Sequence, residues 1–160
     1  MVRRMKIMFD FKKDTTMKKI FITLAISAAF AITANADDRP VIFEQLPAPA
    51  QAFIKSNYPD DSVSFATVDD DIIRPDYTVV LVSGVKIMFE NNGALEKIES
   101  RRGDIPEGII PVQITDYVKR SFKDASIVEY EVGRRTYEVK LSNGLELKFN
   151  RNFVPIGIDD

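Results

Sequence analysis

Tyr137, Val139 and Leu141 alternate with Glu138 and Lys140, and beyond Ser142-Asn143-Gly144 the residues Leu145, Leu147 and Phe149 alternate with Glu146 and Lys148. A period of two with one apolar face predicts a half-buried antiparallel hairpin. Its register follows from the turn, because paired residues share a face. A two-residue loop would set Leu141 against Glu146. A three-residue loop instead pairs Leu141 with Leu145, Val139 with Leu147 and Tyr137 with Phe149. The other face then pairs Lys140 with Glu146 and Glu138 with Lys148, so apolar packing and charge complementarity select the same register. Gly144 supplies the left-handed residue that such a loop requires, as does Gly84 upstream.

The same pattern occurs twice. Tyr77 to Gly84 aligns with Tyr137 to Gly144 at an offset of 60, and seven of the 23 positions from Tyr77 to Glu99 are identical to their counterparts. Upstream the offset is 64: Leu46-Pro47 meets Ile110-Pro111, Phe53 meets Tyr117, Lys55 meets Lys119 and Tyr58 meets Phe122. The four extra residues of the first copy fall in the acidic stretch 69–75. In each copy a proline precedes a short amphipathic helix, predicted over 48–57 and 112–122. Four strands follow, at 62–68, 77–82, 85–90 and 94–99 and again at 126–132, 137–141, 145–150 and 154–158. Alternation of this kind leaves one sheet face buried and one open. The expected fold is α+β, with tandem α-β4 repeats at 37–104 and 105–160 and both helices on one face of an antiparallel sheet.

Uninterrupted alternation assigns the open face of the second copy to Ile127, Glu129, Glu131, Glu138, Lys140, Glu146 and Lys148. The matching residues of the first copy are Val63, Phe65, Thr67, Thr78, Val80, Lys86 and Met88. One open face is charged and the other largely apolar. An apolar sheet face is a candidate interaction surface, so Val63, Phe65, Thr67, Thr78, Val80 and Met88 are the candidate partner-binding residues, with Phe65 and Met88 as anchors. The expected partner is a protein or peptide. The alternatives are homodimerisation through the patch, or cover from the 38–45 segment or the curvature of the sheet.

The N-terminus adds a compartment. Lys18 and Lys19 precede an uncharged apolar run over 20–32, and Ala34-Asn35-Ala36 gives a small-x-small cleavage pattern, so 1–36 reads as a secretory leader with Met17 as its start. The run of 13 residues is too short for a retained span. The leader holds seven Lys or Arg and two Asp of the chain's 22 basic and 24 acidic residues, which leaves 15 and 22 and a net charge of −7. Such a domain repels phosphate backbones, so a periplasmic or secreted protein that binds no nucleic acid is expected.

Chemistry is narrowed further by what is missing. The sequence has no His and no Cys, which removes Ser-His-Asp and Cys-His catalysis, thiol redox work and imidazole or thiolate metal sites. Without disulfides the fold rests on its apolar core. Asp69-Asp70-Asp71 and Asp76 lack the spacing of a calcium loop and read as a solvated hairpin end. No cofactor, metal or catalytic residue is expected. A hydrolase working through a pair of carboxylates is the remote alternative.

Leu46-Pro47, Phe53-Ile54 and Tyr58-Pro59, followed by Tyr77, Val79, Gly84, Phe89, Gly93 and Ile98, resemble the PepSY-like family of β-lactamase-inhibitor-like exported proteins over 41–160. The resemblance implies the layout of β-lactamase inhibitor protein, whose curved sheet face grips its target. It also implies the association of PepSY domains with peptidase propeptides and with modulation of proteins outside the cytoplasm. The expected function is therefore an exported, non-enzymatic binding module that inhibits or modulates an envelope or secreted protein. A self-associating structural envelope protein is the alternative.

Overall fold

The computed structural model describes residues 38–69, 75–102 and 105–160. The expected leader, and residues 70–74 of the acidic stretch, lie outside them. Strand β1 (Arg39–Val41) and a 3₁₀ turn (Phe43–Gln45) lead into helix α1 (Ala48–Asn57), then β2 (Val63–Val68), β3 (Tyr77–Leu81), β4 (Lys86–Phe89) and β5 (Leu95–Glu99). Helix α2 (Val112–Ser121) is followed by β6 (Ile127–Val132), β7 (Thr136–Leu141), β8 (Glu146–Asn150) and β9 (Pro155–Asp159). The nine strands form one sheet in chain order with antiparallel neighbours, an α+β architecture.

Both helices start after a proline, Pro47 or Pro111, and bury the residues that recur at three- and four-residue spacing. Ala50 and Ile54 of α1, and Ile114 and Val118 of α2, join Val79, Ile87, Phe89, Ile98, Val139, Leu147 and Phe149 in one core. A ring edge locks each helix down. Phe53 meets Phe89 with centroids 5.6 Å apart, and Tyr117 meets Phe149 at 5.5 Å, both T-shaped. Such pairs contribute about 1 kcal/mol beyond burial. Every buried residue among those described lies between Leu46 and Phe149.

The β7–β8 hairpin has the register expected from the sequence: Tyr137 pairs with Phe149, Glu138 with Lys148, Val139 with Leu147 and Lys140 with Glu146. Two expectations fail. Val63 pairs with Leu81 but Phe65 with Val80, so Ser64 is an extra residue, and Val128 is the extra residue between Ile127 and Glu129. Each bulge reverses the alternation. Val63 and Ile127 consequently pack against the core and do not belong to the open face. The second departure is β1, a strand the sequence pattern did not predict. Its three residues pair with β2, and the chain then passes to the helix side, where Phe43 packs on the core beneath Lys55. Segment 38–45 thus widens the sheet and leaves the open face uncovered.

Where α1 begins, it presses on the β4–β5 turn. A Cβ on Gly93, at φ +82°, would stand 2.8 Å from Pro47 Cβ and 3.0 Å from the Ala50 backbone nitrogen. The counterpart position in the second half is Phe153, also left-handed at φ 59°, whose ring stacks on Tyr137 at 5.3 Å. That contact offsets backbone strain of about 1–2 kcal/mol. Gly93→Ala is expected to lower stability by about 2–3 kcal/mol, through strain and overpacking together. Gly144→Ala at φ +95°, with open space around it, should lower it by only about 1 kcal/mol. Denaturant midpoints at unchanged slope measure both.

Candidate functional site

On the face opposite the helices, side chains line up in two rows across the strands. One row runs Phe65, Val80, Lys86, Glu99, Glu129, Lys140, Glu146 and Asp159. The other runs Pro40, Thr67, Thr78, Met88, Lys97, Glu131, Glu138, Lys148 and Gly157. Five of the six candidate residues, Phe65, Thr67, Thr78, Val80 and Met88, are therefore neighbours on β2, β3 and β4. All five are partly exposed, and Phe65, Val80 and Met88 are not among the residues packed on the core. Val63 is the one the bulge removes.

From β4 onward the rows become a charge ladder. Glu99 stands opposite Glu129 and Glu131 opposite Glu138, pairings that repel unless cations intervene. Lysines supply them. Lys86 reaches Glu99 at 3.8 Å, Lys97 reaches Glu129 at 2.6 Å and Glu131 at 3.3 Å, Lys140 reaches Glu146 at 2.6 Å and Lys148 reaches Glu138 at 2.7 Å. Lys97 on β5 ties together the two halves of the sheet. It is also the best shielded, with 24% of its side chain exposed and 26% of Glu129, against 43% and 54% for Lys140 and Glu146. Exposed pairs contribute little, so the Lys97 bridge carries most of the ladder's electrostatic stabilisation. Burial opposes the Lys97 charge, yet hydrogen bonds and charges from Glu129 and Glu131 hold its ammonium above the ordinary lysine value. The hydrogen bond from Lys140 pulls Glu146 below the ordinary carboxylate value.

Sequence reasoning missed β5's share of this face. Lys97 and Glu99 were legible as alternating residues of Leu95-Glu96-Lys97-Ile98-Glu99, and the opposite charges of Lys97 and Glu131 were the signal for β5–β6 pairing. It also missed Glu96. Phe89 pairs with Leu95 and Met88 with Lys97, so Glu96 is the extra residue of a bulge beside Met88. Its Oε2 is buried and has no hydrogen-bond partner. Burial raises its pKa above the ordinary carboxylate value, and the charges of Asp76, Glu131 and Glu90 add to the rise. A cavity of about 310 Å³ lies apart from these residues, between α2 and the start of β6, lined in part by Ile105, Ile110, Val118 and Lys119. Among the described residues no group of carboxylates is placed to hold a metal ion.

A carboxyl whose pKa is raised on folding opposes folding once it ionises. Stability therefore falls as pH rises from the ordinary carboxylate value through the raised one. Glu96→Gln removes that charge and is expected to raise the melting temperature at pH 7 by roughly a few degrees. The gain should shrink as the pH is lowered through the carboxylate range. Thermal unfolding of both chains across that range checks the sign.

Several known proteins share this arrangement. The chain matches, over residues 75–156, the family described as "Putative beta-lactamase-inhibitor-like, PepSY-like". A crystal structure of a "putative periplasmic protein" of the DUF2874 family from Bacteroides vulgatus is 36% identical, covers 79% of this chain and 99% of its own, and superposes with a TM-score of 0.73. A "putative calcium-regulated periplasmic protein" from Bacteroides thetaiotaomicron is 37% identical over 78% of this chain and 98% of its own, with a TM-score of 0.74. A further Bacteroides vulgatus periplasmic protein, of unknown function, is 26% identical over 77% of this chain and 99% of its own, at 0.72. No curated protein is similar enough to match. The expectation of a periplasmic or secreted protein agrees with these neighbours, and no described helix is long and apolar enough to cross a membrane. By both the family match and the neighbours, the chain belongs to the PepSY-like family.

Proposed function

We propose that the protein is an exported, non-enzymatic binding module made of two copies of one helix-plus-four-strand unit. Its open sheet face engages a protein or peptide partner and modulates a protein of the envelope or the extracellular space. One observation carries this reading: Phe65, Val80 and Met88 are contiguous, partly exposed and outside the core, on a face that neither helix nor segment 38–45 covers. Thr67 and Thr78 border them and add groups able to hydrogen-bond without a net charge. An apolar strip rimmed by charge is the usual composition of a contact surface. The family's inhibitor-like description supports the same reading.

The charged half has a supporting role. Its lysines are each held by a glutamate, which keeps that half of the face solvated and leaves the apolar strip as the main source of binding energy.

Affinity capture from an envelope extract tests the proposal, with residues 37–160 as bait beside the Phe65→Asp variant. Phe65→Asp should weaken retention of the partner by about 2 kcal/mol, or roughly thirtyfold. Its denaturant midpoint should stay close to that of the parent, because the ring lies outside the core. Equal capture by both baits places the site elsewhere, and unfolding of the variant contradicts the face assignment.

A further inference from the structure

Resting on the open face as the docking surface, we infer that its partner is cationic: a protein segment that sets an apolar side chain on Phe65, Val80 and Met88 and carries a Lys or Arg to the carboxylates of Glu96 and Glu131 beside them.

The charge inventory of the face argues for it. Its four lysines, at positions 86, 97, 140 and 148, each already hold a glutamate within 4 Å. Among the described residues of this face no ammonium is left over for an acidic partner. Carboxylates are in excess, because Glu129 and Glu131 share Lys97, and Glu131 receives its weaker contact, at 3.3 Å against 2.6 Å. Glu96 receives none. Its Oε2 is buried and without a hydrogen-bond partner, and the charge of Lys97 offsets only part of the rise in its pKa.

Position matters as much as number. Met88 pairs with Lys97 and Lys97 with Glu131, so Glu131 stands two strands from the apolar strip in the same row. Glu96 is next to Lys97 in the bulge beside Met88. Burial is the main cause of the raised Glu96 pKa; the charges of Asp76, Glu131 and Glu90 add to it and that of Lys97 opposes it, so the surrounding charge is on balance negative. A guanidinium or ammonium arriving there would offset that repulsion, while an acidic segment would add to it. The net charge of −7 over residues 37–160 favours the same partner at a distance.

Selection of random dodecapeptides on residues 37–160 tests the charge and the site together. Peptides that combine aromatic or aliphatic residues with Lys or Arg are expected. Their affinity should fall roughly tenfold in Glu96→Gln/Glu131→Gln, and also on raising salt from physiological to near-molar strength. They should be lost in Phe65→Asp, and Glu146→Gln, far along the ladder, should change nothing. Peptides that need Phe65 but show no basic bias keep the face as the site and overturn the inference. Peptides insensitive to Phe65→Asp, or none selected at all, overturn both the inference and the docking surface on which it rests.

Discussion

Each helix meets the sheet through an edge-to-face aromatic contact, Phe53 on Phe89 and Tyr117 on Phe149, alongside its buried apolar residues, and the character of the two faces depends on that docking. Phe89 and Phe149 occupy matching places on β4 and β8, so both helices seal the same side. A sheet sealed on one side only must find its whole core there. The apolar residues of alternate positions crowd that side, where Val79, Ile87, Phe89, Ile98 and Phe149 are completely buried. The remaining positions are released from packing duty. They are free to carry charges in one half and an apolar strip in the other without loss of the fold.

That freedom explains what the sequence could and could not convey. The β7–β8 register was legible because two independent local signals agreed, apolar pairing on one face and Lys–Glu pairing on the other. Helix positions were legible from proline starts and three- and four-residue spacing. Val63 and Ile127 were misplaced because a bulge adds a residue without altering the hydrophobic pattern: Ser64 and Val128 look like ordinary strand positions. Strand β1 was illegible for another reason. Three residues with Pro40 at the centre give no periodicity, and proline is tolerated only because β1 lies at the sheet edge, where it can keep its nitrogen from the ladder. The family assignment needed none of these details, since it rests on the pattern of buried and turn residues.

The candidate surface was legible in outline and wrong at its margin. Phe65, Thr67, Thr78, Val80 and Met88 come together as the alternation implied, because the Ser64 bulge lies before all five. What alternation could not supply was the neighbour across the bulge in β5. Glu96 falls outside strict alternation, and its burial depends on how the ladder is offset between Met88 and Phe89.

Glu96 is a half-buried carboxylate beside the apolar strip, and its Oε2 is buried without a hydrogen-bond partner. Ionised, Glu96 opposes folding, and a glutamine of the same shape would not. The neighbouring ladder shows that compensation is available on this sheet: wherever glutamates face each other, at Glu99 and Glu129 or at Glu131 and Glu138, a lysine stands within reach. At Glu96 compensation is incomplete, since the charge of Lys97 opposes the rise in its pKa without cancelling it. Local destabilisation beside an otherwise satisfied network is the pattern expected at a functional site. On the proposed reading, a cation supplied by the partner would add to the apolar contact.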